Sequence, residues 1–243
     1  MWLPFRQSRR RSRPPFKASR RYISWAWRLG LVLIALDLFY LIHIWPDWEQ
    51  FAQGPVVKSR FMQSYEARRQ TDKSLPPLRW QPVPLSWIPK QVQRAVIVAE
   101  DARFYSHHGI DLIAFREAMS YNLQTGQLKY GASTLSQQTV KNMFFSASRN
   151  PLRKWHELIL TIGMEFKVSK KRILLTYLNI AEFGEGIYGV EAAAWHYWGS
   201  GVSNLNHWQA AQLAASLPSP VKHNPETRTA RFLDRAERIY ERM

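Results

Sequence analysis

The sequence predicts a mainly α-helical domain carried on one N-terminal transmembrane helix. Three observations carry that reading. From residue 89 onward, apolar residues recur at helical spacing and are punctuated by capping residues. Runs that alternate apolar with polar residues, the mark of half-buried strands, are almost absent. A long apolar run also follows an arginine-rich tail near the N-terminus. The 243 residues suffice for one sizeable domain and an appendage.

Residues 1–21 read as a basic tail and residues 22–45 as the membrane anchor. The net charge is +16, and Arg6, Arg9, Arg10, Arg11, Arg13, Lys17, Arg20, Arg21 and Arg28 precede or open the apolar run with no acid among them. The run Leu29–Trp45, with Tyr22, Ile23, Trp25 and Trp27 ahead of it, approaches the ~20 residues a spanning helix needs. Trp25, Trp27, Trp45 and Trp48 bracket it as an aromatic belt. Asp37 interrupts it at about 2.5–3.5 kcal/mol on insertion scales, and reads as tolerated or paired with a partner helix rather than catalytic. The basic tail places the N-terminus in the cytoplasm and everything beyond Trp45 outside. Leu41–Pro46 offers no small-residue cleavage site, which favours an uncleaved anchor over a signal peptide. A tail that serves as the topology signal argues against nucleic acid as its partner. The positive charge left in the remainder suits an anionic substrate or surface. The chain has no cysteine, which excludes a disulfide framework, thiolate metal sites and a cysteine nucleophile.

Residues 46–88, with Pro55, Pro76, Pro77, Pro82 and Pro84, read as a juxtamembrane linker and lead-in rather than packed core. Residues 89–243 form the domain. Pro89 suits the first turn of a helix over 89–104. Asp111 caps a helix over 112–125 that stops at Gly126. Thr134 and Gln137 have capping-box spacing for a helix over 135–145. Pro151 leads a helix over 152–167 with Trp155, Leu158, Ile159, Ile162 and Phe166 as its buried stripe. Helices over 169–180, 186–199, 206–216 and 227–242 follow.

Three clusters could carry chemistry. Glu100 and Asp101 stand where the apolar run Val92, Ala95, Val96, Ala99 ends, at the rim of the core, where burial tunes a carboxylate for base work. Read alone, the pair is first an ordinary solvated helix end. The stretch Gly131–Asn142 joins a glycine, hydroxyls and amides to Lys141 and Asn142, and a loop feeding a helix N-terminus is a natural anion site. Arg153 and Glu157, i and i+4, share a face away from the apolar stripe; by themselves they amount to a surface ion pair worth about 0.3–0.5 kcal/mol. Gly184–Gly189 resembles a phosphate loop only in its glycine count, so its glycines read as a tight turn and close packing. No His-x-x-x-His spacing supports a tightly bound zinc.

Together these segments resemble the peptidoglycan glycosyltransferases of glycosyltransferase family 51. Glu100, Asp101, Phe104, His107 and Gly109 match the family's first motif. Gly131 to Asn142 matches the second, with Ser136 where threonine is usual. Arg153, Lys154 and Glu157 match the third, and Lys171 to Asn179 the fourth. A looser fifth is met by Arg235, Ile239, Tyr240 and Met243. The resemblance spans about residues 90–243, and with the chain ending at the fifth motif it is to the monofunctional biosynthetic members, without a transpeptidase domain.

The resemblance implies a two-lobed, distantly lysozyme-like fold whose partly apolar lobe meets the membrane. It implies polymerisation of lipid II, with the lipid-linked glycan as donor, β-1,4 linkage by inversion, and release of undecaprenyl pyrophosphate at the bacterial inner membrane. Glu100 would be the base and Asp101 would support its ionisation. Lys141 and Arg153 would face the pyrophosphate, with Phe104, His107, Ser133, Thr134, Gln138 and Asn142 in the binding cleft. Glu157 would organise Arg153 and Lys141 or hold a divalent ion, magnesium or manganese; no tightly bound cofactor is implied. Lys171 and Asn179 would orient the donor or support the cleft. Other cell-wall synthases or division proteins are the protein partners it implies. The rival readings are a lytic transglycosylase, which also uses a glutamate in a sugar cleft, and a non-catalytic divisome scaffold.

Overall fold

A computed structural model of the chain describes residues 18–126, 131–146 and 150–243, with side chains from Tyr22. Most of the basic tail therefore lies outside the described residues. Helix α1 (Ala18–His43) contains the 22-residue stretch Tyr22–His43, long and apolar enough to cross a membrane. At about 1.5 Å per residue such a stretch matches a hydrocarbon core of about 30 Å. This one N-terminal apolar helix has the length and composition that suit a single-pass anchor. Pro46–Met243 forms a separate compact unit.

That unit begins earlier than its proline content implies. Residues 46–88, expected to be a linker, contain α2 (Trp48–Gln53), α3 (Arg60–Thr71) and β1 (Arg79–Trp80). Met62 and Tyr65 of α3 are buried with Met143, Ile180 and Tyr188 in one cluster, ringed by Phe51, Phe61, Leu78, Trp80 and Phe144. The prolines bend this segment around the domain, and its aromatic residues close one side of the core.

The remaining elements are α4 (Lys90–Glu100), α5 (Leu112–Thr125), α6 (Leu135–Phe144), α7 (Pro151–Lys167), α8 (Lys170–Ile180), β2 (Glu182–Gly184), β3 (Ile187–Tyr188), α9 (Val190–Trp198), α10 (His207–Ser216) and α11 (Ala230–Arg242). Most match the capping signals. Asp111 accepts from Ala114 N–H, Gly126 takes φ +64°, and Thr134 and Gln137 complete a capping box. Three helix boundaries differ clearly from expectation, one being α11, which starts at Ala230 rather than 227 with Thr229 as its N-cap. Helix α4 stops at Glu100, not 104, because Asp101 leaves helical geometry at φ −161°. Helix α9 starts at Val190 because Gly184–Gly189 turns β2 back on β3 in a three-stranded sheet of order β1-β3-β2. Gly189, at φ +81°, lies where an added Cβ would stand 2.7 Å from the Asn179 carbonyl oxygen.

Helix α10 packs against both α4 and α11, and α6 against α7 and α8. The alanines of α10 (Ala210, Ala211, Ala214) let α4 and α11 approach closely, and both carry residues to the candidate site. Helix α7 reverses the expectation for its apolar stripe. It buries His156, Glu157, Leu160, Thr161 and Met164, while Trp155 (47% exposed) and Phe166 (83% exposed) face outward and Ile162 lies at the boundary. Helix α5 buries none of its residues and exposes Leu112, Ile113, Phe115, Met119 and Leu123. Apolar periodicity marks a face kept from water, whether by protein or by lipid.

Candidate active site

Glu100 ends α4 with its side chain 11% exposed. Its Oε1 accepts from Arg235 Nη2 at 2.9 Å and its Oε2 from Gln138 Nε2 at 2.9 Å. Tyr177 of α8 donates its hydroxyl to Gln138 Oε1 at 3.1 Å. Burial raises the Glu100 pKa above the ordinary carboxylate value, and Gln138, Arg235 and Lys141 oppose that rise. Glu100 lines a cavity of about 400 Å³ with Asp101, Arg103, Gly131, Ser133, Thr134 and Arg242.

Asp101 has a different task from the one expected. Its carboxylate accepts from His107 Nε2 at 3.0 Å and from the backbone N–H of Leu135 at 2.9 Å. Thr134 Oγ1 donates to the Gly109 carbonyl at 2.6 Å while also capping α6 through Gln137 N–H. These bonds tie the loop after α4 to the N-terminus of α6. The anion seat expected at that N-terminus is filled by the protein's own carboxylate, which satisfies the free N–H group and the dipole. Phe104 is fully buried beneath Lys170, whose Nζ stands 4.5 Å from its ring centroid. Lys170 also pairs with Glu165 at 2.7 Å, and Ser136 donates to Glu165. Asp101, Phe104, His107 and Thr134 thus build the site's frame, and Asp101 and Thr134 also line its cavity.

A second cluster gathers on α6 and α7. Glu157, only 2% exposed at its side chain, pairs with Arg153 Nη1 at 3.2 Å and Lys154 Nζ at 3.3 Å. This is the i, i+4 pair seen in the sequence, buried instead of on the surface. Lys154 also reaches Ser133 Oγ at 3.4 Å, and Arg153 Nη1 donates to the Ser146 carbonyl at 3.2 Å. Arg153 Nε and Glu157 Oε1 are buried without a hydrogen-bond partner among the described residues. Lys141 is half-buried on α6 with its Nζ 6.0 Å from the Phe61 ring centroid. Burial lowers its pKa; Glu157 raises it, Arg153 and Lys154 lower it, and Glu100 raises it. Asn142 follows, half-buried on the same helix.

Glu157 offers one carboxylate already flanked by two cations, a poor seat for a resident divalent ion. Asp101, His107 and Asp111 bring possible ligand atoms within 4.8 Å of one another. Their oxygens are committed, however: Asp101 as above, and Asp111 to Arg103 at 2.8 Å and Ala114 N–H at 2.8 Å.

Asn179 is fully buried. Its amide accepts from Val83 N–H at 2.8 Å and donates to the carbonyls of Val83 at 3.0 Å and Leu175 at 2.9 Å. Of its two expected roles, the geometry gives the supporting one. Lys171 is exposed in the first turn of α8, and among the described residues no bond or ion pair ties it to either cluster. Arg235, Tyr177, Lys154 and the Glu165–Lys170 pair were not singled out as site residues from sequence. Arg235, Lys154 and Tyr177 do stand at motif positions, which was the available signal.

A buried glutamate held at both oxygens thus stands on a mainly helical domain, with a cluster of cations on α6 and α7. Residues 70–243 match the family described as Transglycosylase, and the chain belongs to that family. It is 39% identical over 220 residues to the biosynthetic peptidoglycan transglycosylase of Nitrosospira multiformis, covering 88% of this chain and 93% of that one. It is 42% identical over 232 residues to the protein of the same name from Bordetella avium, covering 89% and 93%. A third such protein, from Chromobacterium violaceum, is 41% identical over 216 residues, covering 88% and 92%.

Proposed function

We infer that the chain is a peptidoglycan glycosyltransferase that polymerises glycan strands in cell-wall synthesis. The observation that carries the reading is Glu100, ionisable and held at both oxygens on the wall of a cavity, with Lys141, Arg153 and Lys154 gathered around Glu157 nearby.

Its substrates are lipid II and the growing lipid-linked glycan. Glu100 accepts the proton from the 4-hydroxyl of the incoming GlcNAc as that oxygen attacks the donor's anomeric carbon. The bond to undecaprenyl pyrophosphate breaks, and its electron pair leaves on the phosphate oxygen. A single displacement converts the α-linked donor to a β-1,4 product. Lys141, Arg153 and Lys154 offset the developing charge, an effect strengthened in a partly buried site. Glu157 keeps these cations together when no pyrophosphate is present. Ser133 lines the Glu100 cavity, and Asn142 follows Lys141 on α6.

The anchor fits a substrate with a polyprenyl tail, since both then search in two dimensions. The outward apolar residues of α5 and α7 suit contact with lipid. The basic tail supports a cytoplasmic N-terminus, with the domain on the outer face of the bacterial inner membrane.

Polymerisation of purified lipid II by the full chain tests the reading. Glycan made by the native protein and lost in Glu100→Gln is the expected result. Cleavage of preformed, lipid-free glycan without polymerisation would replace it with a lytic reading. Activity of neither kind would leave a scaffold.

A further inference from the structure

We propose that Arg235 is a positioning residue for Glu100: its guanidinium, anchored on the Ala99 carbonyl, holds the carboxylate ionised and oriented on the cavity wall, while Gln138, braced by Tyr177, holds the other oxygen. The proposal rests on reading Glu100 as the base.

The geometry carries it. Arg235 comes from α11, far along the chain, and its Nη2 lies 2.9 Å from Glu100 Oε1 and 3.2 Å from the Ala99 carbonyl oxygen. Its Nε is buried with no hydrogen-bond partner among the described residues, so no second acceptor draws that edge of the guanidinium away. On the other side, the hydrogen-bond donors are ordered by elimination. Tyr177 is fully buried and burial pushes its pKa well up, so its hydroxyl keeps its proton and donates. Gln138 must then turn its oxygen to Tyr177 and its NH₂ to Glu100. Arginine has no acceptor at all. Both Glu100 oxygens therefore face donors, an arrangement complementary to the carboxylate and not to the carboxylic acid. Burial alone favours the neutral acid, which cannot serve as a base.

Arg235 of α11, Lys141 of α6 and Tyr177 of α8 are the ionisable groups whose charge Glu100 feels or imposes. Asp101, Arg103, Asp111, Glu117 and Arg242 line the same cavity. Helix α10, also packed on α4, has His207 at its first position as its one ionisable residue.

The test is the pH profile of lipid II polymerisation by the full chain, from about pH 5.5 to 8.5, with kcat and KM separated. In Arg235→Gln the acid limb of kcat moves up by about one unit, giving roughly tenfold lower kcat at the acid end, with recovery at the alkaline end and unchanged KM. Arg235→Lys, which keeps the charge, restores most of the native limb. An equal loss at every pH, a loss confined to KM, or a limb that stays in place would overturn the proposal. If Arg235→Gln does not fold, Arg235→Lys decides alone: a small upward shift of the limb supports it, and a native profile overturns it. Glu100→Gln, measured alongside, separates the two readings: activity there removes the base assignment itself, whatever the Arg235 variants do.

Discussion

Asp101 places its carboxylate 2.9 Å from the backbone N–H of Leu135, 34 residues further along the chain. One bond thereby joins the loop that follows Glu100 to the helix that carries Gln138 and Lys141. Glu100 and Lys141 are thus registered against each other through the Asp101 carboxylate.

Replacing Asp101 with asparagine removes the charge at the N-terminus of α6 and weakens the bond to His107. The expected cost is about 1–3 kcal/mol, in the range of buried hydrogen bonds to charged groups. Chemical denaturation of the detergent-solubilised protein measures it. Polymerisation should fall with the loosened loop, even where the variant remains folded.

Glu157→Gln removes the acid that raises the Lys141 pKa most. Burial, Arg153 and Lys154 then lower it without that opposition. Lys141 loses its proton at lower pH than in the native chain, so the alkaline limb of the rate profile moves down. An unchanged alkaline limb would show that Lys141 does not set it.

Glu182 of β2 is pushed by burial to a pKa of about 7, with the Tyr188 hydroxyl as its main hydrogen-bonding support. A carboxylate whose folded pKa exceeds its unfolded value binds protons more tightly in the folded state. Its stabilising effect is complete below the unfolded value, near 4.5, and is lost as pH rises through about 7. Glu182→Gln keeps the shape and an acceptor for Tyr188. It should raise stability at pH 8 by about 2 kcal/mol and leave it nearly unchanged at pH 4. Melting curves at the two pH values make the comparison.

Phe166→Ser acts on an 83% exposed side chain and should leave stability within about 0.5 kcal/mol of native. Polymerisation in liposomes should fall if lipid covers this face. Equal activity of the variant and the native chain in bilayers would show that it does not.

Asn179→Ala should cost about 2–4 kcal/mol, since it leaves both the N–H and the carbonyl of Val83 without their buried side-chain partner. Thermal unfolding reads this directly. A merely proportional drop in activity at saturating lipid II would agree with its supporting place beneath the site.

Local signals carried much of this fold. The caps at Asp111 and Thr134, the lead-in at Pro151, the glycine stop at Gly126 and the apolar length of Tyr22–His43 each act over a few residues, and so could be read before any packing was known. Glu100, Lys141, Arg153 and Glu157 were legible because each motif keeps its residues close in sequence. The burial of α3 was not, because the prolines around it signal turns but not what the turns lead back to. Nor was the reversal of α7: a helical period reveals that one face avoids water but not which neighbour covers it. The partnership of Glu100 with Arg235 spans 135 residues. Sequence by itself determined the helices, the anchor and the chemical inventory, since these follow from local backbone preference and residue type. Only tertiary structure decided that Asp101, Thr134 and Asn179 hold the frame and that Arg235 and Gln138 hold Glu100, because a donor finds its acceptor through packing rather than through its place in the chain.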